Sequence, residues 1–179
     1  MDYKLRKLTA TDLLNLQKIY NYLEANKNCL KSLYENTRLA NNHHAKKIGV
    51  LDQREARGST AGIVFYRGEL QISKLSLEHP DLDNLLIDFM KQHNRDFKFN
   101  SVYITKNCVS KPHVDSSNVG ESIIVTLGKF ENGNLFIIND NLSTTLLDIK
   151  NYSCQMDGRR RPHFTEPFKN GTRYSLIFY

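Results

Sequence analysis

The stretch SVYITKNCVSKPHVDSSNVGESIIVTLGKFENGNLFI, residues 101–137, decides how this chain reads. It opens with an alternation: Val102 and Ile104 face one way, Tyr103 and Thr105 the other, as on a strand. SIIVTLGKF and NLFII follow at short spacing, divided by Asn132-Gly133. TTLLDI, NYSCQM and RYSLIFY continue the texture to residue 179, punctuated by Gly128, residues 139–141, Asp157-Gly158 and Asn170-Gly171. Short strands broken by turn residues predict a β-sandwich or barrel.

Toward the N-terminus the pattern changes. Residues 8–40 are predicted to be mostly helical, with Thr11 or Asp12 as cap and a stripe of Leu13, Leu14, Leu16, Ile19, Tyr20 and Leu23. A second helical stretch is expected over 29–39. The polar segment 41–60 predicts a long loop with one short strand at 48–51. Two β-rich runs, 62–67 and 70–75, flank a Gly68-Glu69 turn. Pro80 then starts a helix whose apolar face is Leu82, Leu85, Leu86, Phe89 and Met90, ending before Asn94. The expected organisation is one domain: a helical or mixed support region over 1–95, and a β-core over 96–179 that carries the chemistry.

Composition bounds the classes. The 179 residues carry 25 Lys+Arg against 19 Asp+Glu, a formal charge of +6. That surplus is ordinary solubility, or a pointer to a polyanionic partner. No run of about 18 apolar residues exists to cross a membrane. The first residues, MDYKLRKLTATDLL, lack the apolar core of a secretory signal. Three cysteines, with no CxxC pair, argue against both a disulfide framework and cysteine-bound zinc. An intracellular protein, cytoplasmic or nuclear, is expected. Oligomeric state is not legible.

The chemistry-bearing motif is Lys111-Pro112-His113-Val114-Asp115. His-x-Asp at a strand end puts imidazole and carboxylate on one side, because residues two apart share a face. His163 lies fifty residues on, just before the final strand. Two histidines and one carboxylate on one face of a metal form the facial triad of non-haem Fe(II) oxygenases. Such a metal needs a reductant, commonly 2-oxoglutarate. Its distal carboxylate is best held by a planar, permanently charged, bidentate arginine. Arg173 stands ten residues after His163, and Ser175 shares its face. Tyr103 and Thr105 could line the co-substrate pocket, and Asn107 falls on the same face. Asn118 and Ser122 are either supports of the metal-binding loop or plain turn and strand residues.

On these motifs the stretch 107–179 resembles the 2-oxoglutarate/Fe(II)-dependent dioxygenases, whose fold is a double-stranded β-helix, or jelly roll. It is most similar to the TET/J-base-hydroxylase branch. That branch tends to show HxD, N-x-G-x-S, a strand ending L-G-x-F-x-G-G-x-L, a D-G before the second histidine, and a G-x-R-Y-S-L strand. Asn118, Gly120, Ser122, Leu127, Gly128, Phe130, Gly133, Leu135, Asp157, Gly158, His163, Gly171, Arg173, Tyr174, Ser175 and Leu176 stand in those places. Asn132 departs where the first of two glycines is usual, which should alter a hairpin turn and not the metal. The resemblance implies an α+β fold, a jelly-roll core in the C-terminal half with N-terminal helices packed against it. It also implies Fe(II), 2-oxoglutarate and O2, with His113, Asp115 and His163 as ligands and Arg173 as the co-substrate anchor.

For the substrate, Arg159, Arg160 and Arg161 beside His163 form one basic set. Arg54 and Arg57, with His43, His44, Lys46 and Lys47, form another. Such residues would hold phosphates without reading sequence. Together with the resemblance they favour DNA or RNA as partner, with the methyl group of thymine or 5-methylcytosine as target. A protein or peptide side-chain hydroxylase sharing the same iron core is the alternative. A binding module without turnover is the third reading.

Overall fold

The computed structural model describes residues 3–33, 56–115 and 119–179. The strand expected over 48–51 lies outside them, as do Asn118, Arg54 and the basic residues 43, 44, 46 and 47. Helix α1 is Ala10–Ala25, capped by Thr9 and not by Thr11 or Asp12. Thr9 Oγ1 accepts from the Asp12 backbone N–H at 3.1 Å, and the Asp12 carboxylate accepts from the Thr9 N–H at 2.8 Å. This reciprocal box satisfies two N–H groups that would otherwise lack partners. The helix stops at Asn26, well short of residue 40. Lys31–Ser32, at the start of the stretch expected as a second helix, is a two-residue strand, β2; residues 34–39 of that stretch lie outside the described residues.

The other strands, in chain order, are β1 (Tyr3–Lys7), β3 (Arg57–Tyr66), β4 (Glu69–Ile72), β5 (Ser101–Lys106), β6 (Ser122–Asn132), β7 (Leu135–Ile138), β8 (Thr144–Leu147), β9 (Tyr152–Met156), β10 (His163–Thr165) and β11 (Phe168–Phe178). A short helix α2 (Lys74–Glu78), capped by Ser73, replaces the end of the run expected as strand over 70–75. Helix α3 (Pro80–His93) matches its expected span, with Pro80 in the first turn where its missing N–H costs nothing.

Among the described residues the strands form two antiparallel sheets. The larger runs β1-β9-β6-β11-β5-β3-β2 with β4 on β3, and the smaller runs β10-β7-β8. This is the jelly-roll arrangement. The region over 1–95 is less helical than expected: β1 pairs β9 from Tyr3↔Met156 to Lys7↔Tyr152, and β3 pairs β5 from Arg57↔Lys106 to Gly62↔Ser101. Residues 57–60, expected in a loop, are therefore sheet.

The two faces of the large sheet have different work. Leu16, Ile19 and Leu23 of α1 and Leu82, Leu86 and Phe89 of α3 bury against Val102, Ile104, Val125, Leu176 and Phe178. The opposite face sends Ile124 against Ile137, Leu147, Cys154 and Met156, with Ile177 packed beside them, closing the space toward the small sheet. Residues of β5, β6 and β11 whose side chains alternate with the helix-facing set therefore point between the sheets. That alternation fixes where the site lies.

Candidate metal and co-substrate site

His113 and His163 oppose each other in a backbone bridge, each N–H donating to the other's carbonyl at 3.0 Å. His163 also pairs with Ile137, an inward residue of β7, so both imidazoles face the space between the sheets. Their ring centroids are 4.4 Å apart. Asp115, two residues on, shares their side. Its Oδ1 lies 3.5 Å from His113 Nε2 and its Oδ2 3.7 Å from His163 Nε2. One donor atom from each of the three falls within 4.8 Å of the others, the one such cluster found among the described residues.

The two histidines are aimed by the same local device. His113 Nδ1 is 2.6 Å from the Lys111 carbonyl, and His163 Nδ1 is 2.8 Å from the Arg161 carbonyl. A carbonyl only accepts, so Nδ1 carries the proton and Nε2 presents its lone pair to the cluster. Each partner stands two residues back across a proline, Lys111-Pro112-His113 and Arg161-Pro162-His163. This twinned basic-Pro-His pattern stands in the sequence, but only the carbonyl contacts give it a meaning. Burial pulls the His113 pKa down, yet the Asp115 carboxylate and the Lys111 carbonyl outweigh it and hold the group above its ordinary 6.5. At His163 burial prevails over the Arg161 carbonyl and Asp115, and the pKa falls below 6.5.

Arg173 is the second feature. It is 2% exposed, with its Nε donating to the Gly133 carbonyl at 3.2 Å and Nη1 to the Cys108 carbonyl at 3.4 Å. Its Nη2 is buried and has no hydrogen-bond partner among the described residues. Burial lowers its pKa to about 10. A buried cation without a carboxylate partner is costly, and a bound anion would relieve the cost. Gly133 lets the chain close on this side chain: a Cβ there would stand 3.0 Å from Arg173 Cδ and Nε. Asn132 and Gly133 take φ of 60° and 75°, values asparagine and glycine both tolerate, so the departure at Asn132 keeps the turn.

The remaining expected residues divide. Ser175 pairs with Thr105 and with Thr126, and Tyr103 pairs with Ile177, so Tyr103, Thr105 and Ser175 share the inward face with Arg173. Burial raises the Tyr103 hydroxyl pKa, and Gly58 makes room for that hydroxyl, which would stand 2.8 Å from a Cβ there. Asn107, with φ of 52°, accepts from the Arg173 N–H through Oδ1 at 3.0 Å. Ser122 is buried at the start of β6. The arginine run separates: Arg159 and Arg160 are exposed, Arg160 within 3.4 Å of the Asp157 carboxylate, whereas Arg161 ion-pairs with Asp140 at 3.1 Å. Arg57 is not brought to the site. It pairs with Lys106, on the helix-facing side, and donates to the Leu30 carbonyl at 3.3 Å.

The donor set fits a metal. Two neutral imidazole nitrogens and one carboxylate on one side of a partly buried space match ferrous iron with open positions. The orphaned Arg173 Nη2 fits a carboxylate-bearing co-substrate.

No protein-family model matches the chain, and no curated protein is similar to it in sequence. Solved structures do match. NgTET1 in complex with 5mC DNA is similar over 99% of this chain and 71% of its own, with a TM-score of 0.62 and 12% identity. A Pseudomonas putida prolyl-4-hydroxylase matches over 99% of this chain and 91% of its own, with a TM-score of 0.55 and 12% identity. A Trichoplax adhaerens prolyl hydroxylase, in complex with a peptide fragment of the hypoxia inducible factor oxygen degradation domain, matches over 99% of this chain and 83% of its own, with a TM-score of 0.52 and 11% identity. The fold is thus the one these oxygenases share, a jelly roll with helices on one face. No helix among the described residues is long and apolar enough to cross a membrane.

Proposed function

We propose that this chain is an Fe(II)- and 2-oxoglutarate-dependent dioxygenase that hydroxylates the methyl group of thymine or 5-methylcytosine in nucleic acid. One observation carries the reading. A His–Asp–His donor set and a buried guanidinium whose Nη2 has no hydrogen-bond partner among the described residues face the same space between two sheets. In this reading His113, Asp115 and His163 hold the metal. Arg173 grips the distal carboxylate of the keto acid, with the Ser175 hydroxyl as a second donor. Thr105 and Tyr103 line the same inward surface, and the apolar cluster around Ile124 and Ile177 keeps water from it. Bound ferrous iron, with 2-oxoglutarate and O2, supplies the C–H-oxidising chemistry.

Three features support a nucleobase as substrate: the DNA-bound neighbour, the charge of +6, and the exposed Arg159 and Arg160 next to the turn that flanks Asp115. A base has to leave its stack to reach a metal between two sheets. Phosphate contacts from those arginines would hold the strand while it does. A peptide side chain is the second reading, favoured by the peptide-bound prolyl hydroxylase among the neighbours.

The test is mass spectrometry of nucleosides from DNA and RNA incubated with protein, Fe(II), ascorbate and 2-oxoglutarate. A gain of one oxygen on a single nucleoside, with succinate released, is the expected result. Succinate released only with peptide substrates would move the assignment to the second reading. No succinate with any substrate would overturn the dioxygenase reading itself.

A further inference from the structure

Resting on His113, Asp115 and His163 as metal ligands, we propose that Gly158 is a positioning residue for the Asp115 carboxylate, and that its missing side chain sets the metal affinity of the site. The backbone carbonyl of Gly158 accepts from the Asp115 N–H at 2.9 Å, which fixes the ligand's main chain against the β9–β10 turn. The Asp115 side chain then lies directly over the Gly158 Cα. A Cβ on Gly158 would overlap Asp115 Oδ2 and stand 3.1 Å from Cγ and 3.3 Å from Cβ. Turning the carboxylate would move Oδ2 aside but leave the contacts with Cγ and Cβ. Cγ and Cβ would still have to give by a few tenths of an ångström, shifting with them the two oxygens that face His113 and His163.

The turn cannot retreat instead without disturbing a second ligand. Asp157 Oδ1 accepts from the Arg159 N–H at 3.0 Å, and the Asp157 carbonyl accepts from the Arg160 and Arg161 N–H groups at 3.2 Å. The Arg161 carbonyl in turn orients His163. One turn thus sets the carboxylate through the emptiness of Gly158 and the imidazole through Arg161.

Gly158 is not among the glycines with positive φ. Its backbone is one that any L-residue adopts, so alanine there adds a methyl group without backbone strain. The three atoms nearest the new Cβ all belong to Asp115, so the substitution is a steric probe of that side chain.

The experiment is titration of the metal-free full chain with Co(II), followed by the visible absorption of the bound ion, for wild type and Gly158→Ala. We expect Gly158→Ala to bind Co(II) about 10–100-fold more weakly, the range for residues that orient a metal ligand. Its metal-free melting temperature should stay close to that of wild type. Equal affinity, with an unchanged Co(II) spectrum, would overturn the role of Gly158 and leave the metal site standing. Failure of wild type to bind Co(II) would overturn the metal-site reading itself. Should Gly158→Ala not fold, the double variant Gly158→Ala/Asp115→Ala is expected to fold as well as Asp115→Ala alone, because the overlapping carboxylate is gone. A double variant that also fails to fold would show a general structural role and overturn the proposal.

Discussion

Arg173 and Gly133 make one unit at the residue scale. The guanidinium is planar and offers two donors to a carboxylate, while lysine offers a single point charge. Arg173→Lys should therefore raise the 2-oxoglutarate dissociation constant by roughly tenfold or more, since each 1.4 kcal/mol is a factor of ten. Co(II) affinity should be unchanged; isothermal titration of each ligand separates the two effects. Gly133→Ala meets a different obstacle. Its φ of 75° disfavours any side chain, and the new Cβ would press on Arg173 Cδ and Nε. A loss of about 1–2 kcal/mol in stability is expected from the backbone alone, with weaker 2-oxoglutarate binding on top, read by urea melts and the same titration. HxD, His163 and Arg173 are legible from residue type and spacing. The roles of Gly158 and Asn107 are not, though Gly158 stands in the D-G motif and Asn107 on the face of Tyr103 and Thr105, because what matters there is the neighbour brought up by the fold: Asp115 in one case, the Arg173 N–H in the other.

At the scale of elements, α1 is tied down by its own carboxylates. Asp12 closes the capping box and lies 3.1 Å from His93 of α3, while Glu24 accepts from Tyr174 at 2.7 Å and from Lys106 at 2.9 Å. Burial raises both carboxyl pKa values, but it is outweighed. Hydrogen bonds from Thr9 and the close approach of the His93 ring hold Asp12 below its ordinary 3.8, and hydrogen bonds from Tyr174 and Lys106 hold Glu24 below 4.5. A depressed folded-state pKa gives stability that is complete above the ordinary value and lost as pH falls through the folded one. The contribution of these two carboxylates to the melting temperature should thus be constant from pH 7 down to about 5, then be lost below about 4. Asp12→Asn or Glu24→Gln should lower the plateau and flatten the acid limb; an unchanged limb would remove these two groups from the account. Strand β5 is readable from the alternation of its side chains, and β6, β7, β9 and β11 as short β-rich runs bounded by turn residues. Strand β1 is not: YKLRK is almost wholly exposed at the sheet edge, so no buried face marks it. Strand β2, two residues long, exists only because β3 lies beside it.

For the whole molecule, the jelly roll is legible because the C-terminal half is a series of short β-rich runs broken by turn residues. The contribution of residues 57–61 to the large sheet is not, since Gly58, Ser59 and Thr60 carry no strand pattern of their own and are held as strand by β5 and, at Gly58, by β2. Substrate class also belongs to this scale, being a matter of the field around the site. A nucleic acid held by Arg159 and Arg160 should lose affinity steeply with salt, log Kd changing with log salt by nearly one per phosphate contacted, or about 0.7 on a single strand. Charge reversal at Arg159 and Arg160 should reduce that slope by about two while leaving Co(II) binding intact. A flat salt response, measured by fluorescence anisotropy on labelled oligonucleotides, would favour the peptide reading.

The central claim is that three ligands and one guanidinium bind a metal and a keto acid together. Anaerobic titration of 2-oxoglutarate into the protein, with and without Fe(II), tests it most directly through the visible absorption of the ternary complex. The account predicts a coloured complex with wild type, none with His113→Ala or Asp115→Ala, and a large rightward shift with Arg173→Ala. A 2-oxoglutarate affinity that is indifferent to Fe(II) and to all three substitutions would contradict it.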